Sequence, residues 1–538
     1  MFHKIKFNAK RTGTFFVLSA WVLSILACSQ SYLSSVDLTA TAQSGGAILP
    51  TLAIETPVFE TQSPNSPTPD PPEITQTFTP ADTFTPSPTV PTPTPSISNT
   101  PKPPLLYYTQ AGDTLPVIAA RFGVSPDEIE APESIPSESL ISPGQLLIIP
   151  DRLDEVGPEK TIIPDSEVVY APSGLDFNIE QFVNDAGGYL STYREYLAYG
   201  WLTGAQVIQK VATDESINPR LLLALLEYQS HWVYGQPTNI VETDYPMGYV
   251  NLDKKGLYKQ MAWAVQQLSL GYYGWREGLL TEISFMDGSS VRIAPTLNAG
   301  SVAVQSYLSN FYDSARWLGV LDGAENFPDL YENMFGNPWV RAQTVEPLFP
   351  ASIVQPTLEL PFFANRMWSF TGGPHAAWGS NGARAALDFA PASTEHGCVT
   401  SDEWVTAMAP GLVLRSENGL VVIDLDGDGS EQTGWVLLYL HIATKGCIAV
   451  GTYVDQDGLI GHPSCEGGSA TGTHVHIARK YNGEWIPADG PLPFVLSGWQ
   501  AHAGEEIYTG TLTKGGLVVT SSVYGSFESR IVRDALGQ

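Results

Sequence analysis

At 538 residues the chain is long enough for several domains, each with its own core. Its 27 Lys and Arg against 56 Asp and Glu give a formal net charge of −29. That balance excludes a nucleic-acid reader, whose phosphate partner demands a basic face, and electrostatic capture by anionic lipid; it suits a solvated extracellular protein. The N-terminus carries Lys4, Lys6, Lys10 and Arg11, then an apolar run from Thr14 to Ala27. The run is too short for a comfortable membrane span and is built like a secretory signal.

The signal closes on Ile25-Leu26-Ala27-Cys28, which resembles a bacterial lipobox. The resemblance implies that residues 1–28 are a lipoprotein signal and that Cys28 is acylated as the new N-terminus, holding the protein to the membrane at the cell surface. A plain secretory signal or an uncleaved anchor is the alternative. Residues 29–104 are Ser/Thr/Pro-rich and cannot bury a core, so they are expected to stay extended as a disordered stalk. Fifty residues of polyproline-like chain would reach on the order of 150 Å.

Residues 105–151 read as a small βααβ module. A strand and turn cover Tyr108–Leu115, and an amphipathic helix runs from Pro116 to Phe122 with Val117, Ile118 and Phe122 inward. A second helix starts at Val124, and Ser142-Pro143-Gly144-Gln145 turns into a closing strand. The module resembles a LysM domain, which implies binding of N-acetylglucosamine-containing glycan such as peptidoglycan. An acidic linker is expected at 152–172.

From 173 to 345 the pattern is mostly helical and aromatic. Pro219 opens the clearest helix, Leu221 to Leu226 is apolar all round and hence buried, and Glu227-Tyr228-Gln229-Ser230 ends it. Together with Leu297-Asn298-Ala299-Gly300, this resembles lysozyme-like and lytic transglycosylase folds, in which Glu-Ser usually closes such a run. Here Gln229 precedes Ser230, and an amide cannot donate a proton as an acid does. The expectation is a lysozyme-like domain without catalysis, able to grip glycan; an unrelated helical spacer is the alternative.

The chemistry concentrates in residues 346–500. Thr473-His474-Val475-His476-Ile477-Ala478 is β-branched and alternating, so it predicts a strand. Side chains at i and i+2 of a strand share a face, about 6.6 Å apart. One imidazole can therefore bind a metal while its neighbour reaches the substrate. Upstream lie Thr371-Gly372-Gly373-Pro374-His375, Leu387-Asp388-Phe389 and Tyr439-Leu440-His441. Catalytic zinc takes three protein ligands and leaves a fourth position open, and His375, Asp388 and His476 can supply them. No H-E-x-x-H is present, so no helical glutamate base is available; His441 and His474 are the candidates for proton transfer.

These motifs resemble the lysostaphin and β-lytic family of peptidoglycan metalloendopeptidases, whose ligands are a His, an Asp and the second His of H-x-H. The resemblance implies an all-β, antiparallel peptidase domain with one Zn2+ held by His375, Asp388 and His476, and with His441 and His474 assisting catalysis. Twelve residues separate His375 from Asp388, which is similar to the β-lytic branch. That branch often uses a late tyrosine, for which Tyr508 is a candidate.

Three further cysteines remain. Cys465 lies in the loop entering the H-x-H strand, so a disulfide with Cys398 or with Cys447 would brace the site; Cys398–Cys465 is the preferred pair. Asp424-Leu425-Asp426-Gly427-Asp428-Gly429 has the spacing of a calcium loop. Trp435 stands where the twelfth-position Glu belongs, so a polar hairpin turn is expected instead. Residues 501–538 read as a C-terminal tail of the peptidase region. The function expected is hydrolysis of peptide bonds in peptidoglycan, with glycan held by the LysM module. The competing class is a non-catalytic wall-binding protein or an activator of other hydrolases.

Overall fold

A computed structural model describes residues 102–534, apart from 199 and 396. The expected signal, the lipidation site Cys28 and the stalk lie outside the described residues. Among the described residues no helix is long and apolar enough to cross a membrane.

The first module begins with the strand Leu105–Tyr108, paired antiparallel with Leu146–Ile149. Between them runs the helix Leu115–Phe122, capped by the Thr114 hydroxyl, with proline in its first turn and left-handed Gly123 at its end. Tyr107, Ile118, Phe122, Ile141, Leu147 and Ile149 form its core; Val117 is only half-buried. A buried Asp113–Arg121 pair at 2.7 Å and the Tyr107 hydroxyl donating to Asp113 hold the strand to the helix. The expected second helix is not formed. Only a 3₁₀ turn, Pro126–Glu128, follows. Pro132 and Pro136 come soon after and keep the residues before them out of the α region. The module is thus β-α-3₁₀-β rather than βααβ.

The segment expected as a linker enters the helical core. Ile162, Ile163, Val168 and Val169 are buried, because the apolar residues interspersed with the acids find a cover. Buried Asp165 accepts hydrogen bonds from Asn298 Nδ2 and the Gly300 amide, both at 2.7 Å. The Leu-Asn-Ala-Gly sequence therefore clamps this segment in place. The helix Pro219–Ser230 is capped by Asn218, and Leu221 to Leu226 are wholly buried. The Glu227 carboxylate accepts from the amides of Val233 and Tyr234 at 2.8 and 3.0 Å, so it caps the turn after the helix. The twenty-residue helix Leu257–Arg276 packs on Ala299–Ser309. They meet closely at Gly271, where a Cβ would lie 2.8 Å from Ala303 Cα.

The C-terminal half is built on a nine-stranded sheet. Its main path runs Tyr453–Val454, Gly411–Glu417, Leu420–Asp424, Trp435–Leu440, Val475–Tyr481, Ala386–Pro391, Met367–His375 and Arg530–Val532, with Glu484–Trp485 paired beside Val475–Tyr481. Neighbouring strands are antiparallel. Residues expected to form a tail are built in: Trp499–Ala503, Gly510–Lys514 and Leu517–Thr520 belong to a four-stranded sheet, and Arg530–Val532 edges the main one.

The two faces of the main sheet go to different cores. Phe370, Leu387, Phe389, Val421, Leu437, Tyr439 and Ile477 pack inside the β-domain. Ala386, Leu420, Val422, Val436, Leu438 and Ala478 join the core of the helical domain. Strands buried on both sides lack a solvated face, which explains their nearly continuous apolar runs.

Candidate metal centre

Three adjacent strands carry the expected ligands. His476 stands directly opposite Asp388, and Asp388 directly opposite Gly372, three residues before His375. The three side chains are buried and converge. His375 Nε2 lies 3.0 Å from His476 Nδ1 and 3.3 Å from Asp388 Oδ1; His476 Nδ1 lies 3.2 Å from the same oxygen. A tetrahedral zinc with bonds of about 2.0–2.1 Å would set its donors roughly 3.3 Å apart. The donor set and spacing therefore fit a divalent ion. Asp388 Oδ1 is buried with no well-formed hydrogen bond, an orphan that such an ion would satisfy.

Backbone carbonyls settle which nitrogen faces the centre. His375 Nδ1 donates to Gly373 O at 2.8 Å, and His476 Nε2 donates to Ala377 O at 3.1 Å. Each leaves the other nitrogen's lone pair for the donor cluster, which is the outer-shell arrangement metal-binding imidazoles use. The same device holds the two assisting candidates. His441 Nδ1 donates to Glu466 O at 2.9 Å and His474 Nδ1 to Gly472 O at 2.8 Å, leaving both Nε2 atoms free of those carbonyls. The two rings lie 4.4 Å apart, centroid to centroid, and His474 Nε2 is 3.9 Å from Asp388 Oδ1. His441 adopts φ +66°, with its carbonyl held by the Ser464 amide at 2.7 Å. A non-glycine left-handed residue costs energy and gathers at functional sites.

The glycines before His375 have a spatial reason. A Cβ on Gly372 would lie 2.4 Å from Asp388 Oδ2, and one on Gly373 would lie 2.5 Å from the Thr509 backbone. Gly372→Ala must push Asp388 aside, so metal affinity is expected to fall by about 10–100-fold, the usual effect of disturbing a ligand's support. Zinc titration of the variant measures it. Tyr508 stacks on His375 with centroids 4.2 Å apart, so the late tyrosine borders the cluster.

Burial disfavours charge throughout, but Asp388 decides the balance. Burial would push its carboxyl up; the His375 imidazole beside it holds it well below the usual carboxylate range. Burial works against a charged His375, yet Asp388 raises its pKa above the ordinary imidazole value. Burial lowers His476. Burial, then His474 and His476, bring His441 down to about 3, so it is a neutral acceptor at neutral pH. Protons and metal compete for the same His375 lone pair. Raising that pKa moves the competition to higher pH, so metal retention is expected to weaken as pH falls through the neutral range, before ordinary imidazoles protonate. Equilibrium dialysis against zinc from pH 8 to 5.5 checks the order.

The structure joins Cys398 to Cys465, 67 residues apart in sequence, and leaves Cys447 free. Asp424, Asp426 and Asp428 cluster, but their carboxylates mostly accept hydrogen bonds from the loop itself, including the Gly427, Gly429 and Ser430 amides. What residue types alone did not reveal is the set of four backbone carbonyls.

Residues 107–150 match the LysM domain, and residues 161–348 match the family described as LasA, N-terminal domain. Protease LasA of Pseudomonas aeruginosa strain PAO1 is 26% identical over 294 residues, covering 51% of this chain and 65% of that protein; Protease LasA of strain UCBPP-PA14 matches equally. Over these residues the chain is similar to Protease LasA. The alignment spans under two thirds of those relatives' own length. Among solved structures, the M23 metalloprotease pseudoalterin is 22% identical over 31% of this chain and 96% of its own, with a TM-score of 0.27. The catalytic domain of lysostaphin from Staphylococcus simulans is 21% identical over 23% and 90%, with a TM-score of 0.17. The match to the LasA N-terminal domain covers the segment expected to be lysozyme-like.

Proposed function

We propose that this protein is a zinc-dependent endopeptidase that hydrolyses peptide bonds in bacterial peptidoglycan and holds the wall glycan through its LysM domain. The observation that carries the reading is the convergence of His375 Nε2, Asp388 Oδ1 and His476 Nδ1 within 3.3 Å of one another, beside two further imidazoles. A zinc ion held by those three atoms supplies Lewis acidity toward the scissile carbonyl and lowers the pKa of water.

The chain's own residues do the rest. His441, neutral and fixed by Glu466 O, accepts the proton that the attacking water gives up. The same His441 Nε2, protonated by that step, passes the proton to the leaving amine, and His474, beside it, is the alternative carrier. Tyr508, stacked on His375, offers a further hydroxyl at the rim. The LysM domain keeps the enzyme on glycan, and the protein works outside the membrane, with Cys28 as its lipid attachment.

The test uses the purified full chain, measuring zinc content and the clearing of cell-wall suspensions before and after chelation. Stoichiometric zinc with chelator-sensitive clearing is expected. A metal-free protein, or clearing indifferent to chelator, ends the proposal.

A further inference from the structure

Ser464 lies between the two imidazoles beside the donor cluster. It is 3% exposed, and each of its polar groups is engaged with that pair or with its support. Its amide and its Oγ both donate to the His441 carbonyl, at 2.7 and 3.1 Å. Its carbonyl accepts from the His474 amide at 3.4 Å. Its Oγ also accepts from the Glu466 amide at 3.0 Å, and the Glu466 carbonyl accepts the His441 Nδ1 hydrogen at 2.9 Å. A closed ring results, from the His441 backbone through the Ser464 hydroxyl and the Glu466 peptide to the His441 imidazole. The ring fixes both the carbonyl and the side chain of one residue. His441 stands at φ +66°, and such a conformation persists only where its surroundings over-determine it.

The Glu466 peptide is gripped from two sides. Glu466 Oε2 accepts from the Thr444 amide at 2.9 Å and from the Thr444 hydroxyl, so the chain just after His441 holds the residue whose carbonyl aims it. Behind that carbonyl lies Gly419, at φ +82°, where a Cβ would sit 2.3 Å from the Glu466 carbonyl carbon. Gly419 O accepts from the Ile442 amide at 2.9 Å. Within the ring the Ser464 hydroxyl both donates and accepts, which serine can do and alanine cannot.

We infer that Ser464 is the positioning residue of the proton carrier: its hydroxyl, bonded on one side to the His441 carbonyl and on the other to the Glu466 amide, sets where His441 Nε2 points. The inference deepens the proposed function and rests on its assignment of proton transfer to His441. The bonds that orient His375 and His476 run to Gly373 O and Ala377 O, outside the ring, so Ser464 acts on the proton carrier and not on the ligands.

The test uses the full chain. It reads zinc content, wall clearing, and the His441 Nδ1–H resonance of protein carrying isotope-labelled histidine, a signal identified by its absence from His441→Ala. Ser464→Ala is expected to keep zinc and to slow clearing about 10-fold or more, as small misplacements of a reacting group do. It is also expected to shift the resonance and speed its exchange with water. Ser464→Thr, which returns a hydroxyl, is expected to recover both. In a His441→Ala background Ser464→Ala is expected to bring no further loss, since groups that act as one unit are not additive. Should Ser464→Ala fail to fold, Glu466→Ala, at an exposed position, cuts the Thr444 grip and is expected to slow clearing severalfold. Glu466→Gln, whose amide oxygen still accepts, is expected to recover it. A folded, zinc-loaded Ser464→Ala that clears like the parent with its resonance unmoved overturns the inference alone. So does an equal loss with and without His441. A parent that binds no zinc or clears no wall removes the proposed function; the resonance then tests the ring by itself, and an unmoved signal in Ser464→Ala sinks that as well.

Discussion

His476→Ala is expected to lose metal and activity together. His476 contributes one of three donor atoms, and its loss leaves His375 Nε2 and Asp388 Oδ1 3.3 Å apart with two positions open to water. The loss should exceed the 10–100-fold that an outer-shell partner carries, leaving zinc that does not survive dialysis. The centre is buried, with His476 itself only 6% exposed, and Asp388 would keep a charge with one fewer partner, so the apo protein should also unfold at a lower temperature. Metal analysis after dialysis and wall clearing are the two readouts. Retained stoichiometric zinc with full clearing would remove His476 from the ligand set.

His441→Ala separates chemistry from binding. His441 is not among the three donors, and its ring lies 6.3 Å from that of His476, centroid to centroid. Zinc content is therefore expected to match the parent. The rate should fall by about 10²–10⁴-fold, the range for a positioned proton-transfer group. Its Nδ1 is already committed to Glu466 O, so the exchangeable position is Nε2 and glutamine, which lacks that pair of nitrogens in a ring, should not restore the rate. Undiminished clearing by a zinc-loaded His441→Ala protein would assign the proton transfer elsewhere, with His474 the next candidate.

The strands of the C-terminal half were legible because alternation and β-branching report a pleated surface directly. Val475–Tyr481 and Trp435–Leu440 form where the periodicity predicts them, and their register brings His476 opposite Asp388. The helix Pro219–Ser230 was legible as buried, but its fold was not. An all-apolar helix says that something covers it without saying what, and Glu227 proves to be a cap for the amides of Val233 and Tyr234. The second helix of the LysM module failed because a Ser-Pro start signal carries no information about the prolines that cut it short. The helical core's hold on the outer face of the sheet was the least visible feature. Leu420, Val422, Leu438 and Ala478 look the same in sequence whether a helix or a second sheet lies over them. The carbonyl partners of the four histidines belong to the backbone and leave no mark in residue type.

The Cys398–Cys465 bond has a bearing on where this molecule can be taut. Glu466, whose carbonyl aims His441, follows Cys465 immediately in the chain. With the thiols reduced, the stretch bearing that carbonyl keeps its hydrogen bonds to Ser464 and Thr444 but loses its covalent tether to the opposite rim. Cytoplasm keeps thiols apart and export joins them. On the proposed export, the stretch that aims the imidazole would gain this tether only outside the compartment that made the polypeptide.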